Sequence, residues 1–295
     1  MKKILAIAVA TAIAAPAMAD MTIGGTVIAG YSAADDGANE TGGFGFDTAA
    51  ITISGTTTTD SGLTVSASMG AGGLTRGAGD VNGENSTLKI AGDFGSVTAV
   101  AANAGSAISG VAADAENLSE EVANYGAADS DFEELTYAAP AMGGVTLSAT
   151  RGEVADAAVG AGDNQTYFKY RATYAFGAAS GMVDYTDYTY NTNSRLRATM
   201  SFDAGVAKLG LGYEDKDNVG TEWAAGVTVP AGALSVSAAV AHSENEAGTT
   251  ERDGWSVGAT YNLGGGVSVN AKTASYQATG AADATKNALL VTMAF

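Results

Sequence analysis

Cysteine is absent from the 295-residue sequence, histidine occurs once and proline three times. Without cysteine the chain forms no disulfide and binds no metal through thiolates. With His242 as the single histidine, neither a nucleophile triad nor a histidine-rich metal site is expected. The glycine clusters at 70–79 and 264–266 lack the Lys-Ser/Thr and the helix that follow a phosphate-binding loop. The sequence therefore predicts that the protein is not an enzyme and carries no cofactor.

Charge is scarce, and positive charge most of all. Charged residues make up 16% of the chain, with 14 basic against 32 acidic residues. This excess of negative charge makes nucleic acid a poor partner. A D-x-D-x-D-G calcium loop is also missing, so the only metal binding that the carboxylates favour is weak, unspecific Ca²⁺ binding at acidic loops. Strand faces that would be Lys- and Glu-rich in a soluble acidic protein carry Thr, Ser, Gly and Asn here.

Only the first residues contain a continuous apolar run. Lys2 and Lys3 form a basic segment, Ile4 to Ala15 an apolar one, and Ala17-Met18-Ala19 a cleavage motif, which together are typical of a signal peptide over residues 1–19. No later run approaches the length of a membrane-spanning helix. We therefore expect an exported protein whose single folded domain spans residues 20–295.

Short alternating runs fill the remainder. In 195–202, for example, apolar residues occupy one face (Leu196, Ala198, Met200, Phe202) and polar residues the other (Arg195, Arg197, Thr199, Ser201). This two-residue period is typical of antiparallel strands with one apolar face. About sixteen such runs are found, an even number. The connections after even runs are short turns, such as Asp60-Ser61-Gly62, and those after odd runs are mostly longer and more acidic. This alternation of short turns and long loops predicts a transmembrane antiparallel β-barrel.

A soluble β-sandwich also shows a two-residue period, and three features favour the barrel. Aromatic residues lie toward strand ends, as two interfacial girdles require: Tyr31, Phe168, Tyr213, Trp223 and Trp255 at the long-loop ends, and Phe176, Phe202, Tyr261 and Phe295 at the short-turn ends. Lysine and arginine avoid the apolar faces, where a cation near the bilayer midplane costs about 2–4 kcal/mol. We therefore expect lumenal positions for Lys89, Lys169, Arg171, Arg195, Arg197 and Lys208. Finally, the last alternating run ends at Phe295.

One long segment, 104–134, interrupts the strand pattern. It contains no basic residue and eight acids: Asp114, Glu116, Glu120, Glu121, Asp129, Asp131, Glu133 and Glu134. Within it, Asp114 is a candidate N-cap and Gly126 a stop for a short helix, which would present Glu116 and Glu120 on one face. A long insertion inside a compact β-domain is functional or disordered as a rule. Both a constriction segment and a solvated acidic loop are compatible with this composition.

Four short features recur in a fixed order: Ser54-Gly55-Thr56-Thr57, Asp60-Ser61-Gly62-Leu63, the hairpin at 261–266 and the terminal Phe295. In their order and spacing they resemble general-diffusion porins of the Gram-negative outer membrane, of the sixteen-stranded Rhodobacter type, and the similarity extends over nearly the whole chain from residue 20. The resemblance implies a homotrimer of water-filled barrels whose third long loop, here 104–134, folds inward. Porins of this type place an arginine cluster on their first strands, whereas this chain offers only Lys89 there, with Arg76 in a loop.

These observations together predict an outer-membrane pore. It would let small hydrophilic solutes and ions diffuse passively, with a weak preference for cations because of the acidic segment. Its partners would be membrane lipid, lipopolysaccharide and two further copies of the chain. The alternative is an exported, acidic, adhesin-like surface protein without channel activity.

Overall fold

The computed structural model describes residues 20–75, 82–102, 132–154, 165–189 and 193–295. These residues form sixteen β-strands, all antiparallel to their neighbours. In chain order they are β1 (Asp20–Asp35), β2 (Glu40–Thr58), β3 (Thr64–Gly72), β4 (Asn82–Gly92), β5 (Gly95–Ala102), β6 (Phe132–Ala138), β7 (Val145–Val154), β8 (Gln165–Phe176), β9 (Ala179–Tyr188), β10 (Ser194–Asp203), β11 (Lys208–Lys216), β12 (Gly220–Ala231), β13 (Leu234–Asn245), β14 (Glu251–Gly264), β15 (Val267–Ala278) and β16 (Ala284–Ala294).

Each strand pairs with the strands before and after it in the sequence, and β1 pairs with β16 to close the barrel. The closure is reinforced at the short-turn end. Gly25 and Phe295 exchange backbone hydrogen bonds of 3.0 and 3.1 Å. The Phe295 ring also packs where a side chain on Gly25 would stand, since a Cβ there would lie 2.5 Å from the ring Cζ. A barrel without free edges offers no unpaired strand to another chain.

The two faces of the barrel wall differ in chemistry. On the outer face the aliphatic and aromatic side chains predicted to meet lipid are exposed, including Leu211, Val257 and Trp255. All nine aromatic residues predicted for the two girdles are exposed as well. On the inner face lie Gly, Ala, Ser, Thr and most of the charged residues of the strands. This arrangement confirms the predicted sixteen-stranded barrel and its faces, and its cause is the two-residue period of a pleated strand.

The connections alternate in length around most of the barrel, as predicted, although 36–39 and 217–219, after β1 and β11, are shorter than 139–144, after β6. Those after the even strands are short turns, such as 93–94, 177–178, 232–233 and 265–266, and the longest connection, 103–131, follows β5. In the turn between β14 and β15, Gly264, Gly265 and Gly266 all have positive φ angles of 83°, 61° and 80°. Side chains are strained in this conformation, so three successive glycines suit the turn.

Three strand boundaries differ from the sequence-based ones. The polar composition of Asp35–Gly43 predicts a loop, but the loop is shorter, because Glu40–Gly43 pairs with β1. The glycine-rich stretch after Met69 predicts a loop that reaches Asn85, but β4 begins at Asn82. The segment expected to end at Glu134 gives way to β6 at Phe132. In each case a neighbouring strand supplies hydrogen bonds to a stretch whose own alternation is weak, and tertiary pairing extends the strand.

No α-helix occurs in the described ranges, and none of their segments is a helix long and apolar enough to cross a membrane. The helix predicted near 114–126 lies outside the described residues, as do the predicted signal peptide at 1–19 and the loop 104–131 that was expected to fold inward.

Candidate pore wall

The strand register decides which charged residues face the lumen. Every described lysine and arginine except Arg151 lies on the inner face: Lys89, Lys169, Arg171, Arg195, Arg197, Lys208, Lys216, Arg252, Lys272 and Lys286. All six lysines and arginines predicted to be lumenal are therefore inward-facing. Most of the ten come from β8–β16, and the inner face of β1–β3 carries none.

Two arginines hold one buried aspartate at the centre of this wall. Asp184 on β9 lies between Arg171 on β8 and Arg197 on β10, directly opposite both. Its Oδ2 accepts hydrogen bonds from Arg171 Nε at 3.1 Å and Nη2 at 2.7 Å, and from Arg197 Nη2 at 3.0 Å. The Asp184 side chain is fully buried, while Arg171 keeps 30% of its side chain exposed. One negative charge thus offsets part of two positive ones.

A second ion pair lies toward the long-loop end. Glu134 on β6 accepts hydrogen bonds through Oε1 from Lys169 Nζ and, at 2.7 Å, from the Tyr167 hydroxyl. The Tyr167 ring lies over Gly152, where a Cβ would come within 2.1 Å of ring atom Cζ. A glycine at position 152 is therefore what allows Tyr167 to lie flat on the wall and reach Glu134. Hydrogen bonding by two donors fixes the Glu134 carboxylate in place.

Aromatic rings and cations alternate next to this pair. The guanidinium of Arg195 and the ammonium of Lys216 lie 5.9 and 5.5 Å from the centre of the Tyr188 ring. Tyr188 in turn lies 5.8 Å from the Tyr167 ring. The two distances from a cation to the Tyr188 ring are within the range of cation–π attraction. These contacts restrain long basic side chains against the wall instead of leaving them free in the lumen.

A continuous row of charged residues runs around the inner wall at the level of Asp184. Directly opposed positions on β8–β12 are Arg171, Asp184, Arg197, Glu214 and Glu222. Glu214 and Glu222 are 0% and 1% exposed although both face inward. Arg195 Nε approaches Glu214 Oε2 at 3.9 Å. Opposite charges alternate along most of this row, and its two arginines are outnumbered by its three acids, so the row is strongly polar without being positive.

Lys208 and Lys89 stand apart from the other predicted wall cations. Lys208 begins β11 at the short-turn end and lies 3.8 Å from Asp203, with both side chains about half exposed. Lys89 on β4 faces Ser66 and Thr98 across the neighbouring strands. The sequence grouped these two lysines with the others because they share the inward face, but the barrel separates them along its axis and its circumference.

The predicted acidic residues fall into two groups. Asp114, Glu116, Glu120, Glu121, Asp129 and Asp131 lie outside the described residues. The other two, expected in the loop, stand on β6 instead, and they point to opposite faces. Glu134 faces inward to Lys169, and Glu133 faces outward, opposite Ala101 and Glu153. The strand begins earlier than predicted because Phe132–Leu135 pairs with β5 and β7.

Several wall residues were not singled out from the sequence: Asp184, Glu214, Lys216, Glu222, Arg252, Lys272 and Lys286. Alternation alone would have found some of them. Glu214 and Lys216 continue the inward, even-numbered face of β11 that begins with Lys208, opposite the outward Leu209, Leu211 and Tyr213. Glu222 likewise precedes the outward Trp223 on β12. What alternation does not reveal is which of them meet across strands.

The single histidine is on the outer face. His242 Nδ1 lies 2.8 Å from Asp253 Oδ1, and its ring lies 6.0 Å from that of Trp223. No group of three or more potential metal-ligating side chains occurs within the described ranges.

The model of the Gram-negative porins matches residues 6–281 of the sequence. The chain belongs to the Gram-negative porin family. The family and the barrel together indicate the outer membrane as its location. Among curated proteins no match is found.

Solved porin structures share the fold. An anion-selective porin from Comamonas acidovorans superposes with a TM-score of 0.73 at 18% identity, over 94% of this chain and 100% of that one. A triple mutant of the Rhodopseudomonas blastica porin gives a TM-score of 0.68 at 18% identity, over 93% and 100% of the two chains. Another variant of the blastica porin gives 0.69 at 20% identity with the same coverage.

Proposed function

We propose that this porin forms a water-filled pore through which small hydrophilic solutes and ions diffuse passively, and that it has no catalytic activity. The observation that carries the proposal is the separation of the two faces of one closed wall, apolar and aromatic outside, charged and polar inside. Barrels of sixteen strands are wide enough to leave an aqueous channel. The family and the solved porins of the same fold support the proposal.

We propose further that the acidic segment after β5 narrows this pore. The burial of side chains on the inner face of the wall supports this proposal. Inward-facing residues such as Asp184, Thr186, Glu222 and Ser243 are almost completely buried, whereas the lumenal face of a wide barrel with nothing inside it is wet. The inner side chains of β1 and β2, by contrast, are mostly partly exposed.

The pore is proposed to prefer cations weakly. Acidic residues dominate the long-loop rim: Asp35, Asp36, Glu40, Asp217, Glu244, Glu246, Glu251 and Asp283. Six further acids lie in 104–131, and without Lys2 and Lys3 the chain has 12 basic against 32 acidic residues, a net charge of −20. Low-dielectric walls focus such a field, which concentrates cations at the mouth. The inward lysines and arginines oppose it, which is why the preference is weak. The Comamonas porin is described as anion-selective, so the sign of the selectivity is a sharp test.

Planar-bilayer reversal potentials in a KCl gradient test both the pore and its preference. We expect measurable conductance and a reversal potential whose sign indicates cation preference. This potential should be smaller in molar salt, because the Debye length shortens to about 3 Å. Changing Glu116 and Glu120 together to Gln is expected to reduce the cation preference. The matched control is the double change of Glu133 and Glu153 to Gln, because both of these residues face outward, away from the lumen. Anion preference of the unmodified pore would contradict the selectivity, and absence of conductance would favour the adhesin-like alternative.

We also propose a homotrimer, removal of residues 1–19 on export, and contact with lipopolysaccharide. The outer face supports the assembly. Outward positions on β3–β5 are mostly small or aliphatic, such as Ala67, Ala99 and Ala101, whereas the outward aromatic residues concentrate on β8–β14. Small side chains allow close approach of a second wall, and aromatic residues suit the membrane interface.

A further inference from the structure

Glu84 on β4 faces the lumen, although the alternation of its own strand predicts the opposite. Two positions further along the chain, Ser86 is directly opposite the exposed, outward Met69 of β3. In a regular strand, residues two positions apart share a face. A regular β4 would therefore direct the Glu84 carboxylate outward, into the membrane.

A β-bulge reverses the direction of this side chain. Met69 is opposite Ser86 and Ala71 is opposite Gly83, so the two residues Glu84 and Asn85 together stand opposite the single residue 70 of β3. The extra residue in β4 shifts the alternation by one position. Gly83 and Ser86, three residues apart, consequently share the outer face, and Glu84 turns to the inner one.

Two glycines of β3 make room for the Glu84 side chain on the inner wall. A Cβ on Gly70 would lie 2.8 Å from the Cβ of Glu84. A Cβ on Gly72 would overlap the carboxylate itself, at 2.8 Å from Cδ and closer still to Oε1. The Glu84 side chain therefore lies flat across β3 with its carboxylate over Gly72, and any larger residue at position 72 would displace the carboxylate.

Glu84 differs in exposure from the inward acids of the opposite side of the barrel. It is exposed, whereas the side chain of Glu134 is only 11% exposed. The acids of the charged row on β9–β12 are at most 1% exposed: Asp184, Glu214 and Glu222. Water and ions in the lumen therefore reach the Glu84 carboxylate more readily than they reach these other carboxylates.

Basic residues are sparse on this side of the inner wall. Within the described ranges, the inner faces of β3 and β5 carry no lysine or arginine. Lys89, on β4 itself, is five residues further toward the short-turn end. That separation is about 15 Å along the strand, which exceeds the Debye length of about 8 Å at physiological salt.

We propose that Glu84 is a selectivity-determining residue of the pore, whose carboxylate attracts small hydrated cations to the β3–β4 side of the lumen, and that Gly72 positions it. The inference rests on the proposed function, since only a water-filled lumen brings ions to this wall. A fixed charge between low-dielectric walls acts strongly on passing ions, because the walls focus its field into the water.

Cysteine accessibility tests the direction of Glu84 independently of conductance. The chain has no cysteine, so Glu84→Cys and Ser86→Cys each introduce a single thiol. In liposomes that contain the full chain, a water-soluble methanethiosulfonate reagent should label Glu84→Cys several-fold faster than Ser86→Cys, because the thiolate reacts only where water reaches it. Thr87→Cys, on the inner face opposite Ser68, is the positive control. Equal labelling at positions 84 and 86 would overturn the assigned direction.

Reversal potentials in a dilute KCl gradient test the role of the charge. Glu84→Gln should lower the ratio of K⁺ to Cl⁻ permeability about twofold, as expected for one unit charge about 8 Å from the ion. Glu133→Gln removes the same charge from the outer face and should leave the ratio unchanged. An unchanged ratio in Glu84→Gln, or equal shifts in the two variants, would overturn the role of Glu84.

A glycine substitution tests the position of the carboxylate without changing any charge. Gly72→Ala should alter the permeability ratio when Glu84 is present and should have no further effect when it is combined with Glu84→Gln. Gly43→Ala is the matched control, because it adds the same methyl group to the inner face of β2 with no atom within 4 Å. Equal ratios in the two alanine variants, or an effect of Gly72→Ala that persists with Glu84→Gln, would overturn the positioning by Gly72.

Failure of the proposed function would give a different result. If the unmodified pore prefers anions, the proposed cation preference is wrong, but Glu84→Gln should still shift the permeability ratio toward anions. If the protein does not conduct, the proposed pore is wrong, and cysteine labelling still decides whether Glu84 faces the lumen.

Discussion

Asp184 determines how much of the positive charge on the inner wall an ion in the lumen experiences. It is buried and bonded to both Arg171 and Arg197. Opposite charges this close interact far more strongly away from bulk water than at an exposed surface. At the residue scale, the Asp184 carboxylate thus affects the electrostatic field at the inner wall more than any single exposed acid at the rim does.

Asp184→Asn should shift selectivity toward anions. The amide keeps the shape of the side chain but removes the negative charge between two guanidinium groups, so the KCl reversal potential should move in the anion direction. Some loss of stability, on the order of 3 kcal/mol, accompanies removal of one partner from a buried pair. Asp203→Asn is the control, because that carboxylate is half exposed beside Lys208, and exposed pairs contribute little. An equal shift in both variants would contradict the assigned role of Asp184.

Asp36 gives a prediction about pH. It lies in the turn between β1 and β2, outside the membrane-spanning strands, and hydrogen bonds from the backbone N–H groups of Asn39 at 2.6 Å and Ala38 at 2.9 Å hold its pKa below the usual value of 3.8. The lowered pKa means that the turn gains stability above pH 3.8 and loses it as the pH falls through the folded pKa. Carboxyl NMR titration should give Asp36 a pKa below that of an exposed aspartate in a model peptide. A pKa at or above that reference would contradict the turn geometry.

At the scale of the strand, side-chain direction decides which substitutions are tolerated. Successive residues of β10 and β11 alternate between lipid and lumen, with Leu211 exposed outside and Thr199 inside. A change of one residue in register would exchange the two sets. The strand therefore tolerates charge at every second position only.

Leu211→Arg should impair assembly and Thr199→Arg should not. An outward arginine in the membrane costs about 2–4 kcal/mol near the midplane, whereas an inward one meets water. Heat modifiability on a gel measures the folded fraction of each variant. Because both variants add the same side chain, on adjacent and laterally paired strands, they control for each other. Similar folded fractions would mean that the faces are assigned wrongly.

At the scale of the whole molecule, the barrel is asymmetric around its axis. The strands from β8 onward combine a charged inner wall with an aromatic outer face. Those from β3 to β5 combine small residues such as Ala67 and Ala99 with the aliphatic Met69 and Leu88 on the outer face, and they contain no aromatic residue. A protein surface with few anchoring aromatic residues suits contact with another protein wall better than contact with lipid.

Crosslinking in mild detergent is expected to give trimers through this smaller-residue side. Ala67→Arg on the outer face of β3 should break them by inserting a charge into the contact, while Ala225→Arg on the outer face of β12 should leave the trimer intact in whatever fraction folds. Size-exclusion chromatography with light scattering measures subunit number directly. Only monomers in the unmodified protein, or loss of trimers in both variants, would argue against the assignment.

The sequence alone determined the sixteen strands, the two faces of the wall and the inward direction of the six wall cations that were singled out. It could do so because a pleated strand turns successive side chains to opposite sides, which is a property of the local backbone. Girdle aromatic residues such as Trp223 and Phe202 followed from the same rule, since strand ends are marked by turns.

The tertiary structure alone decided which residues meet. Asp184 is separated from Arg171 and Arg197 by thirteen positions each, and only the register of β8–β10 brings the three side chains together. The same holds for Glu134 and Lys169, and for Glu133 and Glu153 across β6 and β7. Register depends on the pairing of whole strands, on the lengths of the turns and on the positions of β-bulges. None of these is encoded in the alternation of any one strand.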